Sequence, residues 1–231
     1  MDRNSNTYTF LYAAIMVIIV AAVLASVSMA LKPAQKKNVA IEKKQNILAS
    51  VNIESTAATA EAIYAEKIIG EYVVTVKGEQ VEGDAFTTDL KKERAKDAAD
   101  MLLPVFEVKT DDGLKYVLPL YGAGLWGPVW GYVSLSDDMN TIYGANFDHE
   151  GETPGLGAEI STTAFEAPFK GKKIFDESGK LVSILVAKVG QVAPEEHKVD
   201  AISGGTITSK GLEQMLQDDF TAYEEFLNKK K

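Results

Sequence analysis

Cysteine is absent from this sequence of 231 residues, and histidine occurs only twice. The absence of cysteine excludes disulfide bonds, thiolate catalysis, cysteine-ligated iron–sulfur clusters and zinc–thiolate sites. His149 and His197 each stand beside carboxylates in polar segments, which favours surface histidines over a proton-transfer role. The composition therefore excludes thiolate catalysis and a histidine-rich metal site, and we expect no catalytic residue and no metal ligand in this chain.

Charged side chains are also absent from residues 4–31. As a helix rising ~1.5 Å per residue, this run is long enough to cross a hydrocarbon layer of roughly 30 Å. Tyr8 and Tyr12 lie at one end of it, where aromatic rings favour the membrane interface. We therefore predict a transmembrane helix over residues 8–31 and a juxtamembrane segment over residues 32–54.

A cleaved signal peptide is the alternative for this N-terminal run. Its apolar part would be shorter, roughly 7–15 residues, and its start would be more basic than Asp2-Arg3. The stretch ASVSMA does contain small residues of the kind found at cleavage points. An uncleaved anchor is the favoured interpretation.

Basic residues bear on the orientation of this anchor. Arg3 and the amino terminus precede the apolar run, whereas five lysines follow it, namely Lys32, Lys36, Lys37, Lys43 and Lys44. Taken literally, the positive-inside rule keeps the C-terminal part of the chain in the cytoplasm.

The rest of the chain is acidic. The total formal charge is −9, and the first 37 residues carry +3, which leaves −12 on residues 38–231. Nucleic-acid-binding surfaces need clustered positive charge, so this balance argues against a nucleic-acid partner.

Short strands separated by turn residues fill the middle of the chain. PVFEVKT (104–110) and LKYVLPL (114–120) flank Asp-Asp-Gly, which is a hairpin signal. PVWGYVSLS (128–136) and TIYGANFDHE (141–150) form a second pair around Ser-Asp-Asp, and LVSILVAKV (181–189) predicts a further strand. The pattern indicates an antiparallel sheet.

Helical patterns flank these strands. Residues 38–52 predict a short helix, residues 56–70 a second helix, and residues 81–101 a surface helix or loop. Near the C-terminus, apolar side chains recur at helical spacing and predict a helix of about five turns. They are Leu212, Met215, Leu216, Phe220, Tyr223, Phe226 and Leu227. The expected fold after the anchor is one α+β domain.

Two adjacent glycines surrounded by hydroxyl side chains stand before that last helix, in Ser203-Gly204-Gly205-Thr206-Ile207-Thr208-Ser209. Glycines allow a close approach of the backbone to a ligand, and a helix N-terminus offers unpaired N–H groups to an anion. The pattern is compatible with a phosphate site. The alternative is a simple turn in which Thr208 or Ser209 caps the helix.

Two other glycine-rich stretches precede it. Glu152-Thr153-Pro154-Gly155-Leu156-Gly157 contains a Pro-Gly turn signal. Its leucine either lies exposed against a flat ligand or folds back into the core. Gly122-Ala123-Gly124-Leu125-Trp126-Gly127-Pro128 lies between two predicted strands. Its tryptophan can stack on an aromatic ligand, although taken alone it favours a core anchor.

The order of these motifs after a membrane anchor, GLWG, then ETPGLG, then SGGTIT before a final helix, resembles the FMN-binding domain family. Within it the chain is most similar to the C subunits of sodium-translocating NADH:quinone oxidoreductases, and the resemblance covers essentially the whole chain. It implies an antiparallel-sheet FMN-binding domain with flanking helices over residues 55–231. The G subunit of Rnf-type ferredoxin-linked complexes shares the fold and the motif and is the alternative within the same class.

The resemblance implies a covalent cofactor. Family members carry FMN in a phosphoester bond to the threonine of a Ser/Thr-Gly-Ala-Thr sequence, attached by a flavin transferase from FAD with magnesium. The matching threonine is Thr206, while Thr208 is the second candidate, because Gly205 stands where the family usually has alanine. The other implied cofactor-binding residues are Ser203, Gly204, Gly205, Thr208, Trp126, Leu125, Glu152, Thr153, Gly155 and Leu156.

The implied function is electron transport. The chain would carry electrons as a single-pass component of a sodium-transporting complex in the bacterial inner membrane, between NADH and quinone, with the B subunit as the next carrier. The family's flavin domain lies on the periplasmic side, contrary to the literal lysine count. A membrane-anchored scaffold domain without cofactor is the alternative from another class.

Overall fold

The first part of the chain is a single long helix. The computed structural model describes residues 5–188 and 190–231, so Arg3 of the orientation argument lies outside the described residues. The chain divides into two compact units, residues 1–43 and residues 44–231. Helix α1 runs from Asn6 to Ser50, and its apolar part is long enough to cross a membrane by length and composition.

The predicted short helix over residues 38–52 is the continuation of α1 and not a separate element. Pro33 lies inside α1 and does not end it. No further proline or glycine follows before Ser50, so the helix continues into the second unit, where Ile47 and Leu48 are fully buried.

An antiparallel sheet of six strands forms the centre of the second unit, which confirms the predicted α+β class. Its order is β2-β1-β3-β4-β5-β6. The strands are β1 (Ile68–Thr75), β2 (Gln80–Val81), β3 (Leu102–Thr110), β4 (Gly113–Ala123), β5 (Pro128–Leu135) and β6 (Ile142–His149). The β3–β4 hairpin turns at the predicted Asp-Asp-Gly, where Thr110 pairs with Gly113.

Helices and short strands surround this sheet. They are α2 (Ala60–Lys67), α3 (Leu90–Glu93), α4 (Thr163–Glu166), β7 (Leu185–Ala187), β8 (Lys198–Asp200) and α5 (Thr206–Lys230). Single turns of 3₁₀ helix occupy Ala98–Asp100, Gly157–Ser161, Ala167–Phe169 and Glu195–His197.

The sheet is covered on both faces. Helix α5 packs against one face through its buried apolar side, and the Tyr223 hydroxyl donates to the carbonyl oxygen of Pro104 at 2.7 Å. The end of α1 and helix α2 cover the other face, where Ile47 and Tyr64 pack with Phe106 of β3. Because strand side chains alternate between faces, β3 contributes to both layers.

Helix α5 lies very close to the end of β4. A side chain added at Gly122 would collide with Met215, and one added at Gly211 would collide with the carbonyl of Ala123. These two glycines therefore bring the helix and the strand end together. The helix has 25 residues and starts at Thr206, so it is longer than the predicted five turns.

Three local predictions are wrong in whole or in part. The helix predicted over residues 56–70 is only Ala60–Lys67, because β1 begins at Ile68. The strand predicted over residues 181–189 is only Leu185–Ala187, which pairs in parallel with β8 in a separate two-stranded sheet, and Val189 lies outside the described residues. His197 is buried and not at the surface. Its Nδ1 lies 2.6 Å from the carbonyl oxygen of Lys173, since the 3₁₀ turn at Glu195–His197 packs against that segment.

Candidate functional site

The three glycine-rich motifs meet around one small cavity of about 210 Å³. One comes from the loop between β4 and β5, one from the segment after β6, and one from the turn before α5. The cavity is lined by Leu125, Glu152, Thr153, Leu156, Gly157, Gly204, Gly205, Thr206, Ile207 and Thr208. The motifs are well separated along the chain, so the fold alone assembles this cavity.

The β4–β5 loop presents apolar side chains to the outside. The Gly124 N–H donates to the carbonyl oxygen of Gly127 at 2.8 Å and closes a tight turn. At its tip Leu125 and Trp126 are exposed, and Trp126 is 70% exposed. The core position favoured for this tryptophan is therefore wrong, because the turn directs the side chain away from the sheet.

The segment after β6 folds into a turn and a short 3₁₀ helix. The Leu156 N–H donates to the carbonyl oxygen of Thr153 at 3.1 Å, and Gly155 has a φ of +76° that favours glycine. Leu156 is 42% exposed at the cavity and does not fold back into the core. The alternative of a core leucine is thus wrong.

The turn before α5 contains one glycine that the backbone requires. Gly204 has a φ of +78°, whereas Gly205 has a φ of −96° and directly precedes the helix. The Gly205 carbonyl accepts the Ser209 N–H at 2.9 Å, so the helix begins at Thr206. The alternative that Thr208 or Ser209 caps the helix is wrong, since both lie inside it.

Glu152 connects all three motifs through its carboxylate. Its Oε1 accepts the backbone N–H of Trp126 at 2.8 Å, and its Oε2 accepts the hydroxyl of Thr208 at 2.5 Å. The side chain is buried, with 4% exposure. A side chain at Gly124 or Gly157 would overlap this carboxylate. Glycine at these two positions therefore makes room for the Glu152 contacts.

The environment of Glu152 favours its charged form. Burial by itself raises the pKa of this carboxyl, but the hydrogen bonds from Thr208 and from the backbone N–H groups of Trp126, Leu125 and Gly127 outweigh it. The resulting pKa lies below the usual range of a glutamate. The carboxylate is thus a fixed acceptor at neutral pH, directed at protein groups.

We expect Glu152→Gln to lower the free energy of unfolding by about 1–3 kcal/mol at pH 7, because one of two buried donors loses its acceptor. The folded pKa of Glu152 is lowered, so its stabilisation is present above the unfolded value of about 4.3 and is lost as the pH falls through the folded pKa. Denaturant unfolding at pH 7 and at about pH 3 measures this difference. Glu150→Gln, an exposed neighbour, is the control. An equal loss at both pH values would contradict the assignment.

The first turn of α5 offers backbone donors. The first helical hydrogen bond is that of Ser209, so the N–H groups of Thr206, Ile207 and Thr208 have no acceptor within the helix. The positive end of the helix dipole lies at the same place. Thr206 is exposed there, whereas Thr208 is 1% exposed with its hydroxyl bonded to Glu152. Donors and an accessible hydroxyl thus suit a phosphate group.

Of the residues predicted to bind the cofactor, the structure brings eight together in the cavity lining. Ser203, Trp126 and Gly155 are outside the lining and stand next to it in the chain. Gly157 and Ile207 line the cavity and were missed by the sequence reasoning. Gly157 shares the motif of Gly155, and Ile207 is an exposed apolar residue between two threonines. Their binding roles stay a prediction.

Comparison with known proteins places the chain in a class. A family model described as FMN-binding domain matches residues 124–220, which contain all three motifs and most of α5. The crystal structure of the C subunit of Na(+)-translocating NADH-quinone reductase from Parabacteroides distasonis ATCC 8503 is similar, with a TM-score of 0.80 and 49% sequence identity. That similarity covers 85% of this chain and 96% of the other. The chain therefore contains an FMN-binding domain match, and its fold is that of the similar C subunit.

Two further relatives identify the family of this chain more specifically. The C subunit of Na(+)-translocating NADH-quinone reductase of Vibrio vulnificus (strain YJ016) is 33% identical over 209 residues, covering 83% of this chain and 81% of the relative. The C subunit of Neisseria meningitidis serogroup B (strain MC58) is 32% identical over 251 residues, covering 100% and 96%. The chain belongs to the family of C subunits of Na(+)-translocating NADH-quinone reductases, which confirms the resemblance inferred from the motifs.

Proposed function

We propose that the chain is an electron-carrying flavoprotein subunit of a Na⁺-translocating NADH:quinone reductase, with FMN joined to Thr206 by a phosphoester bond. The observation that carries this proposal is the cavity where the three motifs meet at the N-terminus of α5. Membership of the C-subunit family and the FMN-binding domain match support the same role. When bound, FMN supplies the redox chemistry of the subunit.

The residues present fit a phosphorylated cofactor. Gly204 and Gly205 line the cavity, and the N–H groups of the first turn of α5, which have no acceptor within the helix, would donate to an anion there. The Glu152 carboxylate also lines this cavity, and both of its oxygens already accept hydrogen bonds from protein groups. The phosphate would be bound by the backbone of α5 and tethered by Thr206.

The exposed apolar residues fit the flat part of such a cofactor. A cavity of about 210 Å³ is below the usual range of roughly 300–1,000 Å³ for small-molecule sites, so part of the cofactor would lie outside it. Leu125, Trp126, Leu156 and Ile207 are exposed large apolar side chains in or next to the cavity lining. They would shield an aromatic ring from water on the side of the protein.

The attachment to Thr206 in preference to Thr208 is supported by exposure and by hydrogen bonding. The Thr206 side chain is exposed, and no described residue bonds to its hydroxyl. The Thr208 hydroxyl is buried and donates to Glu152. A transferase that brings the flavin from FAD could reach only the first of the two without disrupting the site.

The remaining parts of the proposal concern location and partners. Residues 8–31 would anchor the chain in the bacterial inner membrane, residues 32–54 would connect, and residues 55–231 would form the FMN-binding domain on the periplasmic side. The B subunit would be the next electron carrier and quinone the final acceptor. An uncharged apolar helix and family membership support the anchoring.

Co-expression with the flavin transferase tests the function. We expect a yellow protein whose denatured gel band fluoresces under ultraviolet light, because a phosphoester bond survives denaturation. Mass spectrometry of the peptide that contains residues 203–209 would locate the added mass. A protein that stays colourless under these conditions would favour the cofactor-free scaffold instead.

A further inference from the structure

A second and larger cavity, of about 610 Å³, lies at the free edge of the six-stranded sheet. Its wall on one side is formed by the end of α1 and the segment after it, and on the other by β6 and the helical turns at residues 163–170. All of these belong to the second unit of the chain. None of its lining residues is part of the flavin site.

The edge of β6 is partly protected by side chains that take the place of a neighbouring strand. The Asn52 Nδ2 donates to the carbonyl oxygen of Tyr143 at 3.1 Å, and the Glu166 Oε1 accepts the N–H of Phe147 at 2.7 Å. Exposed strand edges pair readily with other chains, so such side-chain contacts normally block them. Here the two protected positions, Tyr143 and Phe147, lie on either side of Ala145.

Ala145 lies midway between Tyr143 and Phe147. Among the described residues, no side chain bonds to the backbone of Ala145 in the place of a neighbouring strand. Backbone groups alternate in direction along a strand, so the N–H and C=O of Ala145 point the same way as those of Phe147, away from β5. Ala145 also lines the cavity. One donor and one acceptor of the backbone therefore face it.

Side chains around the cavity have unmet hydrogen-bonding capacity. Ser55 Oγ, which belongs to a lining residue, and Asn146 Oδ1 are buried and have no hydrogen-bond partner in the described part of the chain. The Asn146 amide nitrogen donates to Glu166 of the lining at 3.3 Å. Buried polar atoms are normally satisfied, so these two indicate a missing polar partner.

The lining contains many amide and hydroxyl groups together with three charged side chains, Glu54, Glu166 and Lys170. Gln45, Asn46, Asn52, Ser55 and Thr163 contribute the amide and hydroxyl groups. An extended peptide offers alternating N–H and C=O groups that match amides, hydroxyls and a free strand edge together. A phosphate headgroup would need clustered basic groups, and Lys170 is the single basic residue of the lining.

We propose that this cavity binds a short extended segment of another subunit of the membrane complex, which adds to the sheet beside Ala145 of β6. The inference rests on the proposed function only in that it assumes such a complex. Asn52 and Glu166 limit the added strand to a few residues, because they already occupy the positions on either side. The cavity would thus fix the domain to its complex without covering the flavin.

Photo-cross-linking tests the proposal, because the chain has no cysteine and a single introduced one is the only thiol of this chain that can carry the label. Thr163→Cys places the label in the cavity lining, and Thr221→Cys on α5 is a matched exposed control. Both variants are labelled with a thiol-reactive benzophenone in the purified complex and illuminated. We expect Thr163→Cys to join a loop of another subunit that the control does not reach. No protein adduct, an adduct with lipid alone or a dimer of this chain would each overturn the proposal.

Filling the cavity gives a second measurement. Thr163→Trp should weaken retention of the other subunits about tenfold, which corresponds to about 1.4 kcal/mol, whereas Thr221→Trp should not. Fluorescence of the covalent flavin is recorded on the same gel and reports the proposed function separately. A fluorescent Thr163→Trp that retains the other subunits as well as wild type would overturn this inference and leave the flavoprotein assignment intact.

Discussion

Thr206→Ala is expected to abolish the covalent flavin and leave the domain folded. Alanine cannot form the phosphoester, and the exposed Thr206 side chain makes no hydrogen bond that its loss would break among the described residues. Alanine is also a better helix former than threonine at the first position of α5. The measurement is ultraviolet fluorescence of the denatured gel band after co-expression with the flavin transferase.

Two conservative variants control this experiment. Thr208→Ser keeps the hydroxyl that donates to Glu152 and should retain full fluorescence. Thr206→Ser restores a hydroxyl at the attachment position and should recover part of the signal. Covalent fluorescence that persists in Thr206→Ala would show that the attachment point lies elsewhere, with Thr208 as the first candidate.

Gly205 stands where the family usually has alanine, and this difference does not change the backbone conformation that the site needs. Its φ of −96° is open to any residue, and an added Cβ would lie 3.0 Å from Ile202 Cγ2 and 3.2 Å from the Leu156 carbonyl carbon. A small shift would therefore admit the alanine usual at this position. Gly204, with its φ of +78°, is the glycine that the turn requires.

Local patterns in the sequence were sufficient for the four strands β3 to β6 of the sheet. Alternating apolar residues around Asp-Asp-Gly predicted the β3–β4 hairpin, and the same logic predicted β5 and β6. Such signals act over a few residues, so no tertiary information is needed. The strand around residues 181–189 failed because a run of apolar residues does not show which part of it finds a pairing partner.

The sequence predicted which motifs form the candidate site, but it did not predict how their side chains contact one another. Motif order indicated that GLWG, ETPGLG and SGGTIT act together, and eight of the residues named from them share one cavity. The carboxylate of Glu152 was placed near the cofactor, yet it bonds to Trp126 and Thr208, which are 26 and 56 residues away. Hydrogen bonds over such separations depend on the tertiary fold and leave no local signal.

The exposure of apolar side chains is a second property of the site that the sequence did not predict. Taken alone, Trp126 favours the core, since large aromatic side chains are mostly buried. The tight Gly124–Gly127 turn reverses this and directs the ring outward. A cofactor with a flat ring and a phosphate would need exposed apolar side chains beside a polar, glycine-rich cavity. The apolar side chains alone, or the cavity alone, would not indicate such a cofactor.

Arg94→Met is expected to destabilise the domain by about 3–5 kcal/mol at pH 8, because it leaves the buried carboxylate of Asp219 without its ion-pair partner. Asp219 lies on α5 and is 1% exposed, and it accepts hydrogen bonds from Arg94 and from the N–H of Tyr121, the latter at 3.0 Å. Tyr121 leads directly into the loop of Leu125. Asp219 thus connects α5 to the end of α3 through Arg94 and to the end of β4 through the Tyr121 N–H.

The loss of stability in Arg94→Met should be larger at high pH than at low pH. Burial raises the pKa of Asp219 to about 7, against the opposing effects of Arg94 and the Tyr121 N–H. A raised folded pKa means that the neutral carboxyl stabilises the fold fully below the unfolded value of about 3.9, and that this contribution is lost as the pH rises through 7. Removing Arg94 disfavours the charged form further, so the destabilisation should be largest at pH 8 and clearly smaller at pH 5.

Denaturant unfolding of the full chain in detergent at both pH values measures this difference. Lys91→Met, on the short helix α3 that ends just before Arg94, removes an exposed charge for which the described residues provide no ion pair, and it should change stability little at either pH. An Arg94→Met loss of the same size at pH 5 and pH 8 would mean that packing of the arginine, and not its charge, stabilises this end of the site. The comparison therefore separates the electrostatic contribution of Arg94 from its van der Waals contribution.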